Sequence, residues 1–353
     1  MAKIPNISIR GIRQVIPSGF VLGRTKSGDG QPHLIPITDI HGTPGAPGAP
    51  GAPGTDGTNG VGVPVGGTTG QVLAKNSAAD YDTGWATPSG GSVGREILTA
   101  NRTYYVSTTG SDSADGLTVG TPFLTIQHAI DIAAGLDQSV YDITIQLADG
   151  TYNENVILKT ALGAGHMYLA GNSTTPTNVV INSTSYLNAN GVSVCVQTDG
   201  NPRWSISDFK ITSSAGGAIV ALRADNTLVS YSGVNFGTGF TTLIVAALAG
   251  SIQALGAWVV SGGGYAAIRT TQNGVFVTAV SCTVTGTPAF TGAFVVSGQG
   301  GVVYAAGSAS YSGAATGKRY IANDLGFISS NGGGASFYPG NVAGTTATGG
   351  VYS

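Results

Sequence analysis

Between Lys159 and Ser353 the sequence holds four acidic residues, Asp199, Asp208, Asp225 and Asp324, and no glutamate. Carboxylates are the side chains that could cut a glycosidic bond here. That reaction needs an acid and a second carboxylate, ~5–5.5 Å apart for retention and ~6.5–9.5 Å apart for inversion. A repeat set out below places Asp199 and Asp225 in one turn of successive coils, roughly 5 Å apart. Asp208 is a third candidate. Asn226, Asn273 and Gly274 occupy the same turn further along, and Asp and Asn are ordinary turn residues. The expectation is therefore a turn ladder and no catalytic residue. A lyase would need a basic residue beside calcium-binding acids, and Lys210, Arg223 and Arg269 have no acidic cluster in the sequence around them. His128 and His166 lack a Ser, Cys or metal-ligand partner at useful spacing. The Gly runs 262–264 and 332–334 do not join a strand to a helix, so they form no phosphate loop. Cys195 and Cys282 have no CxxC spacing, which leaves neither a zinc site nor a disulfide scaffold. No metal and no cofactor are expected.

Binding asks for less than cleavage. Aromatic side chains give large contact at low entropic cost. Tyr311, Tyr320, Phe337, Tyr338 and Tyr352 lie among Gly, Ser, Thr and Asn near the end of the sequence. They are the expected receptor-contacting residues if this stretch is a tip; the alternative is a cap closing a trimer.

The elements that would position these groups follow from composition and periodicity. Of 353 residues, 57 are glycine and only 9% are charged, against about 25% in a typical globular protein. This suits a β-rich extracellular or particle-surface protein. A net charge of −2 gives no basic footprint for nucleic acid. Residues 1–11 lack the apolar core of a secretory signal. A component assembled on a particle inside a cell, then released, fits both features.

Residues 42–60 carry Gly at every third position, including Gly45, Gly48, Gly51 and Gly54, with prolines between them. Only Gly fits at the axis of a collagen triple helix. A flexible linker is the alternative, but it needs no such period. The expectation is a three-chain stalk of roughly 50–60 Å. Before it, residues 1–41 read as a hairpin around Ser27-Gly28-Asp29-Gly30. They carry Lys3, Arg10, Arg13, Arg24 and Lys26, which suits docking on an acidic surface or simply keeps a small unit soluble.

Further on, a period of 24 residues relates Leu228, Ile252 and Phe276, and likewise Val234, Trp258 and Cys282, and Phe236, Val260 and Val284. The next coil is expected to shift by two, to Gly300 and Val302. Each unit is read as two short strands, too small to bury its own apolar side, so the units must stack. About seven coils between Tyr141 and Gly313 would give a body roughly 35 Å long. The stretch 241–260 is as apolar as a membrane helix, but the repeat makes it two strands with a turn at Gly250. One strand column is apolar on both faces, a sign of double burial. Ile219, Leu243, Val245 and Val295 in it are therefore expected at a trimer interface.

Several stretches resemble bacteriophage tail fibres and tailspikes. Val21-Leu22-Gly23-Arg24 with Ser27-Gly28-Asp29-Gly30 resembles the start of a particle-attachment region. Residues 66–88, with Gly70-Gln71, Leu73, Lys75, Asp80-Tyr81-Asp82-Thr83 and Trp85, resemble a small strand–turn–strand unit of such fibres. In that unit Val72, Leu73, Tyr81 and Trp85 are expected about a three-fold axis. Residues 104–136 resemble the beginning of right-handed parallel β-helices of the pectate-lyase-like superfamily, where a strand at Tyr104–Ser107 and a helix over 122–136 cap the open end. Gly317-Lys318-Arg319-Tyr320 and the glycine-rich run beyond resemble the ends of phage tail proteins.

Together these imply a mainly β homotrimer of parallel β-helices. Its parts are an attachment unit (1–41), a stalk (42–60), a connector (61–103), the β-helix start (104–140), the β-helix (141–313) and a cap or tip (314–353). The resemblance implies a virion protein made in the host cytoplasm. It would bind phage tail or baseplate proteins through its N-terminus and a bacterial surface glycan or protein beyond. A polysaccharide depolymerase on the same scaffold is the enzymatic alternative, and a bacterial collagen-like adhesin is a third.

Overall fold

The structure is a computed structural model, and it describes residues 18–23, 33–39, 48, 51, 64–87, 95–184, 193–200, 203–215 and 219–353. The chain forms two compact units, residues 1–90 and 91–353. Most of the Gly-x-y stretch, including Gly45 and Gly54, lies outside the described residues, as do residues 1–17 and 24–32.

In the first unit Phe20–Gly23 pairs antiparallel with His33–Pro36, with Leu22 and Leu34 partners in the backbone register. Val72–Lys75 pairs antiparallel with Thr83–Ala86, Leu73 facing Trp85. The Trp85 indole donates to the Pro64 carbonyl at 2.6 Å. Both hairpins match the sequence reading. Val72, Leu73 and Tyr81 are exposed in the single chain.

The second unit is a parallel β-solenoid of the right-handed type, the hand that parallel crossovers take. Its strands stack into sheets of seven, eight and ten. A coil therefore has three strands, not the expected two. Thr242–Ala247 lies in the eight-stranded sheet, Ser251–Ala254 in the ten-stranded and Trp258–Val260 in the seven-stranded. The apolar stretch 241–260 is thus the three strands of one coil. Among the described residues no helix is long and apolar enough to cross a membrane.

The start of the solenoid is close to expectation. The strand is Arg102–Val106 and the helix Ile126–Ala134. The helix begins later than Pro122 because Thr125 caps it, its hydroxyl accepting from the His128 amide. Ile126, Ala129, Ile130 and Ala133 form its fully buried stripe. Burying an Ile side chain stabilises by about 1.5–3 kcal/mol.

The doubly apolar strands have a different cause from the one expected. Ala221 and Leu222 are consecutive, yet both are fully buried in the main core, as are Leu243 with Ile244 and Phe294 with Val295. Alternation fails at this point of each strand, as it does where a strand turns a corner and points two successive side chains inward. Val220 and Val245, on either side of the corner, belong to a separate small cluster. Ile219, Leu243 and Val295 are therefore covered by their own chain and leave no side-chain surface for a neighbour. Val245, the outer member, is also buried within the chain.

The coil does not end at Gly313. Thr316–Ala322, Phe327–Ser329, Thr345–Thr346 and Val351–Tyr352 continue the eight- and ten-stranded sheets. Register also corrects two columns. Ile252 pairs with Val229 rather than Leu228, and Phe276 with Val303, so that coil lengthens by three residues rather than two.

Candidate functional site

Gln197 pairs with Arg223, which aligns Asp199 with Asp225 two residues further along the same strands. The expected juxtaposition is there, but not as a dyad. Asp225 Oδ2 takes the Arg223 Nε at 2.8 Å, and its Oδ1 is buried without a partner among the described residues. Asp199 is exposed, and its main-chain carbonyl accepts from the Thr160 hydroxyl at 3.0 Å. The residue beside Asp225 on the next rung is Ala247, not Gly250. Asp208 lies at another corner, with φ of 64°. Its amide donates to the Ser232 carbonyl, and its carbonyl accepts from the Asn172 amide. It shapes a turn.

Two carboxylates ahead of Lys159, not considered in the sequence reading, do converge. Asp112 accepts from the Leu124 and Thr125 amides and the Thr125 hydroxyl at 2.9–3.0 Å. Glu154 accepts from the Ile126 and Gln127 amides at 2.9 and 3.0 Å. Glu154 satisfies unpaired donors of the first helical turn, and Asp112 holds the cap residue Thr125 and the residue before it. Burial pushes Glu154 up, ahead of the lowering by its two amide bonds, and the Asp112 charge adds to the rise. Burial also acts on Asp112, but its bonds from Thr125 and Leu124 outweigh it and the carboxylate lies below the usual range.

His166 does find a serine. Its Nε2 lies 2.8 Å from Ser205 Oγ, which is 2.5 Å from Ser230 Oγ. The pair sits 39 positions apart in sequence, on successive coils, so linear spacing could not reveal it. Burial lowers the imidazole pKa, with Asp142 opposing and Arg203 assisting. Asp142 accepts from the His166 main-chain amide rather than from the ring, so the constellation is not a Ser-His-Asp relay.

The aromatic candidates divide. Tyr338 is fully buried, and its hydroxyl donates to the Ser329 carbonyl at 2.7 Å. Tyr311 packs among Trp258, Phe294, Phe337 and Tyr338, with its hydroxyl buried. These two fill the core, because the coil continues past Gly313 and needs large side chains inside. Tyr320 and Tyr352 stack face to face at 3.7 Å, half-buried, and Phe337 packs edge-on to Tyr338. Their rings are engaged with one another.

The arrangement that is open lies along the corner that carries the acid column. Arg269 projects from the outer face of Gly264–Thr270, its guanidinium carbon 5.9 Å from the centre of the exposed Tyr265 ring. Thr271, Gln299, Asn323 and Asp324 join them around a cleft of about 110 Å³. The Thr271 hydroxyl donates to Gln299 Oε1 at 2.6 Å. Asp324 is braced by Thr348, whose hydroxyl accepts from its amide at 2.6 Å and donates to its Oδ1 at 2.7 Å. An aromatic face, one guanidinium, two amides, a hydroxyl and one carboxylate can hold a polyhydroxylated chain. One carboxylate alone cannot supply both roles of glycoside hydrolysis. Sequence reading missed this cleft because its lining comes from three successive turns and has no local motif.

Among the described residues no three His, Cys, Asp or Glu side chains gather as a metal site. Cys195 and Cys282 are free and buried, and burial raises both thiol pKa values.

The sheets define a parallel β-solenoid. No family model and no curated protein matches the chain. Among solved structures it is similar to the deglycosylated pectin methylesterase from Aspergillus niger, at 16% identity and a TM-score of 0.38, covering 73% of this chain and 86% of that one. It is similar to the rice weevil pectin methyl esterase at 11% identity and a TM-score of 0.34, covering 69% and 90%. It is also similar to the GH136 lacto-N-biosidase from Eubacterium ramulus at 11% identity and a TM-score of 0.31, covering 64% and 61%. No activity is carried across at such values.

Proposed function

We propose that this chain is a bacteriophage tail fibre or short tailspike that binds a bacterial surface glycan without cutting it. In this reading residues 1–41 attach to the tail or baseplate, the Gly-x-y stretch joins three copies, and the solenoid lies distal. The observation that supports glycan binding is the Tyr265–Arg269 cleft, with a ring face, a guanidinium and amides but a single carboxylate. The exposed aromatic face covers sugar C–H surface at low entropic cost, and three copies multiply a weak contact.

The test is binding of the full chain to surface polysaccharide purified from a strain to which it adheres. Arg269→Ala and Tyr265→Ala are each expected to weaken binding about tenfold, or about 1.4 kcal/mol. Unchanged binding in both would remove the cleft from the function.

A further inference from the structure

The outer faces of the three sheets differ in chemistry. On the eight-stranded sheet the outward positions include Arg223, Asp225, Arg269 and Lys318. On the seven-stranded sheet Asn182 donates to Asn153 and Ser214 and accepts from Thr212, with Lys210 on the same strand as Thr212. The ten-stranded sheet changes along its length. Its earlier strands present Arg203, Ser205, Leu228 and Gln253; its last ones present mainly apolar side chains.

Val275, Val302, Phe327 and Val351 stack in register, and Val277 stacks beneath Tyr304 in the next column. They alternate with Phe276, Val303 and Ile328, which are fully buried, so these six point out of the solenoid. Tyr304 and Val351 are about half exposed, at 48% and 49%. At ~4.8 Å per rung the main column runs roughly 14 Å along the axis. The main column carries no charge and no hydrogen-bonding side chain, and the second column adds the Tyr304 hydroxyl and, stacked on it, the buried Ser329. A sheet face of this kind in water calls for a cover.

We propose that this face meets the same face of two further copies of the chain. The proposal rests on the three-copy reading of the Gly-x-y stretch and names the surface through which the solenoids associate. In a three-fold assembly each solenoid turns the same column to its neighbours, and an uncharged apolar column can meet its own copy without burying a charge. The eight-stranded sheet cannot, since its outward Arg223, Asp225, Arg269 and Lys318 would be desolvated, and the late strands of the seven-stranded sheet present Ser281, Thr283, Ser310 and Ser312, which gain little from leaving water. The cleft opens at the corner before this face, with Tyr265 and Arg269 on the eight-stranded sheet and Gln299 and Asp324 in the turns that lead to Val302 and Phe327.

The test uses the full chain with a nitroxide label at Val302→Cys, at Tyr304→Cys, or at Thr283→Cys on the seven-stranded sheet. Cys195 and Cys282 are buried and do not take the label. Light scattering should give three times the chain mass. The label spectrum should be dipolar-broadened at 302 and 304, and unbroadened at 283. Threefold mass with broadening only at 283, or at no position, overturns the proposed face and leaves three-copy assembly standing. The mass of a single chain overturns both. A circular dichroism spectrum matching wild type qualifies each variant for the comparison.

Discussion

Glu154 shows how single side chains secure the start of the solenoid. Its carboxylate receives two amides of the helix Ile126–Ala134, beside Asp112, which receives two more just before it. Burial raises the Glu154 pKa in the folded chain. The folded state then binds more protons than the unfolded state between the ordinary glutamate value, about 4.3, and the raised one. Stability contributed through this group therefore falls as pH rises through that window. Glu154→Gln cannot titrate and lacks this slope. In denaturant unfolding at a series of pH values, the stability of wild type relative to Glu154→Gln should fall as pH rises above about 4.3. A flat or rising difference would contradict the burial assigned here. At this scale the sequence was legible for packing and poor for sites. Ile126, Ala129, Ile130 and Ala133 declare a buried stripe by spacing alone. Tyr311 and Tyr338 look like surface rings because glycines surround them, yet those glycines serve turns of a coil that continues past them.

Among elements, the turn that joins the eight-stranded to the ten-stranded sheet is the most regular feature. Gly250, Gly274, Gly301, Gly326 and Gly350 hold equivalent places in five successive turns. A Cβ on Gly274 would collide with the Ala246 carbonyl, and one on Gly350 with the Ala322 carbonyl. The preceding residues, Gln272 and Asn273 in one coil and Leu248 and Ala249 in another, have positive φ. Gly274→Ala should lower stability by about 1–3 kcal/mol, as overpacking does, seen as a lower thermal midpoint. An unchanged midpoint would contradict the tight approach of the two rungs. The period of 24 was legible because the core columns Ile252–Phe276 and Trp258–Cys282 obey it. It slipped at Leu228 because the turn after Asp225 is one residue shorter: Asn226 alone stands where Leu248 and Ala249 stand one coil later. The third strand of each coil was hidden in the doubly apolar run. A bent strand and a strand between two chains read alike in sequence, since both bury consecutive side chains.

For the molecule as a whole, we propose three-copy assembly and recognition without cleavage. Three of the four acids after Lys159 are engaged otherwise: Asp225 with Arg223, Asp208 in a turn, and Asp324 with Thr348. Asp199 faces solvent without a second free carboxylate on the neighbouring rungs, where Lys159 and Asp225 flank it. The most direct measurement is the chain length of purified host-surface polysaccharide after prolonged incubation with the full protein. Binding with no change in length is the predicted result. Release of short oligosaccharides, lost in Asp199→Asn or Asp225→Asn, would contradict it and make the solenoid a depolymerase.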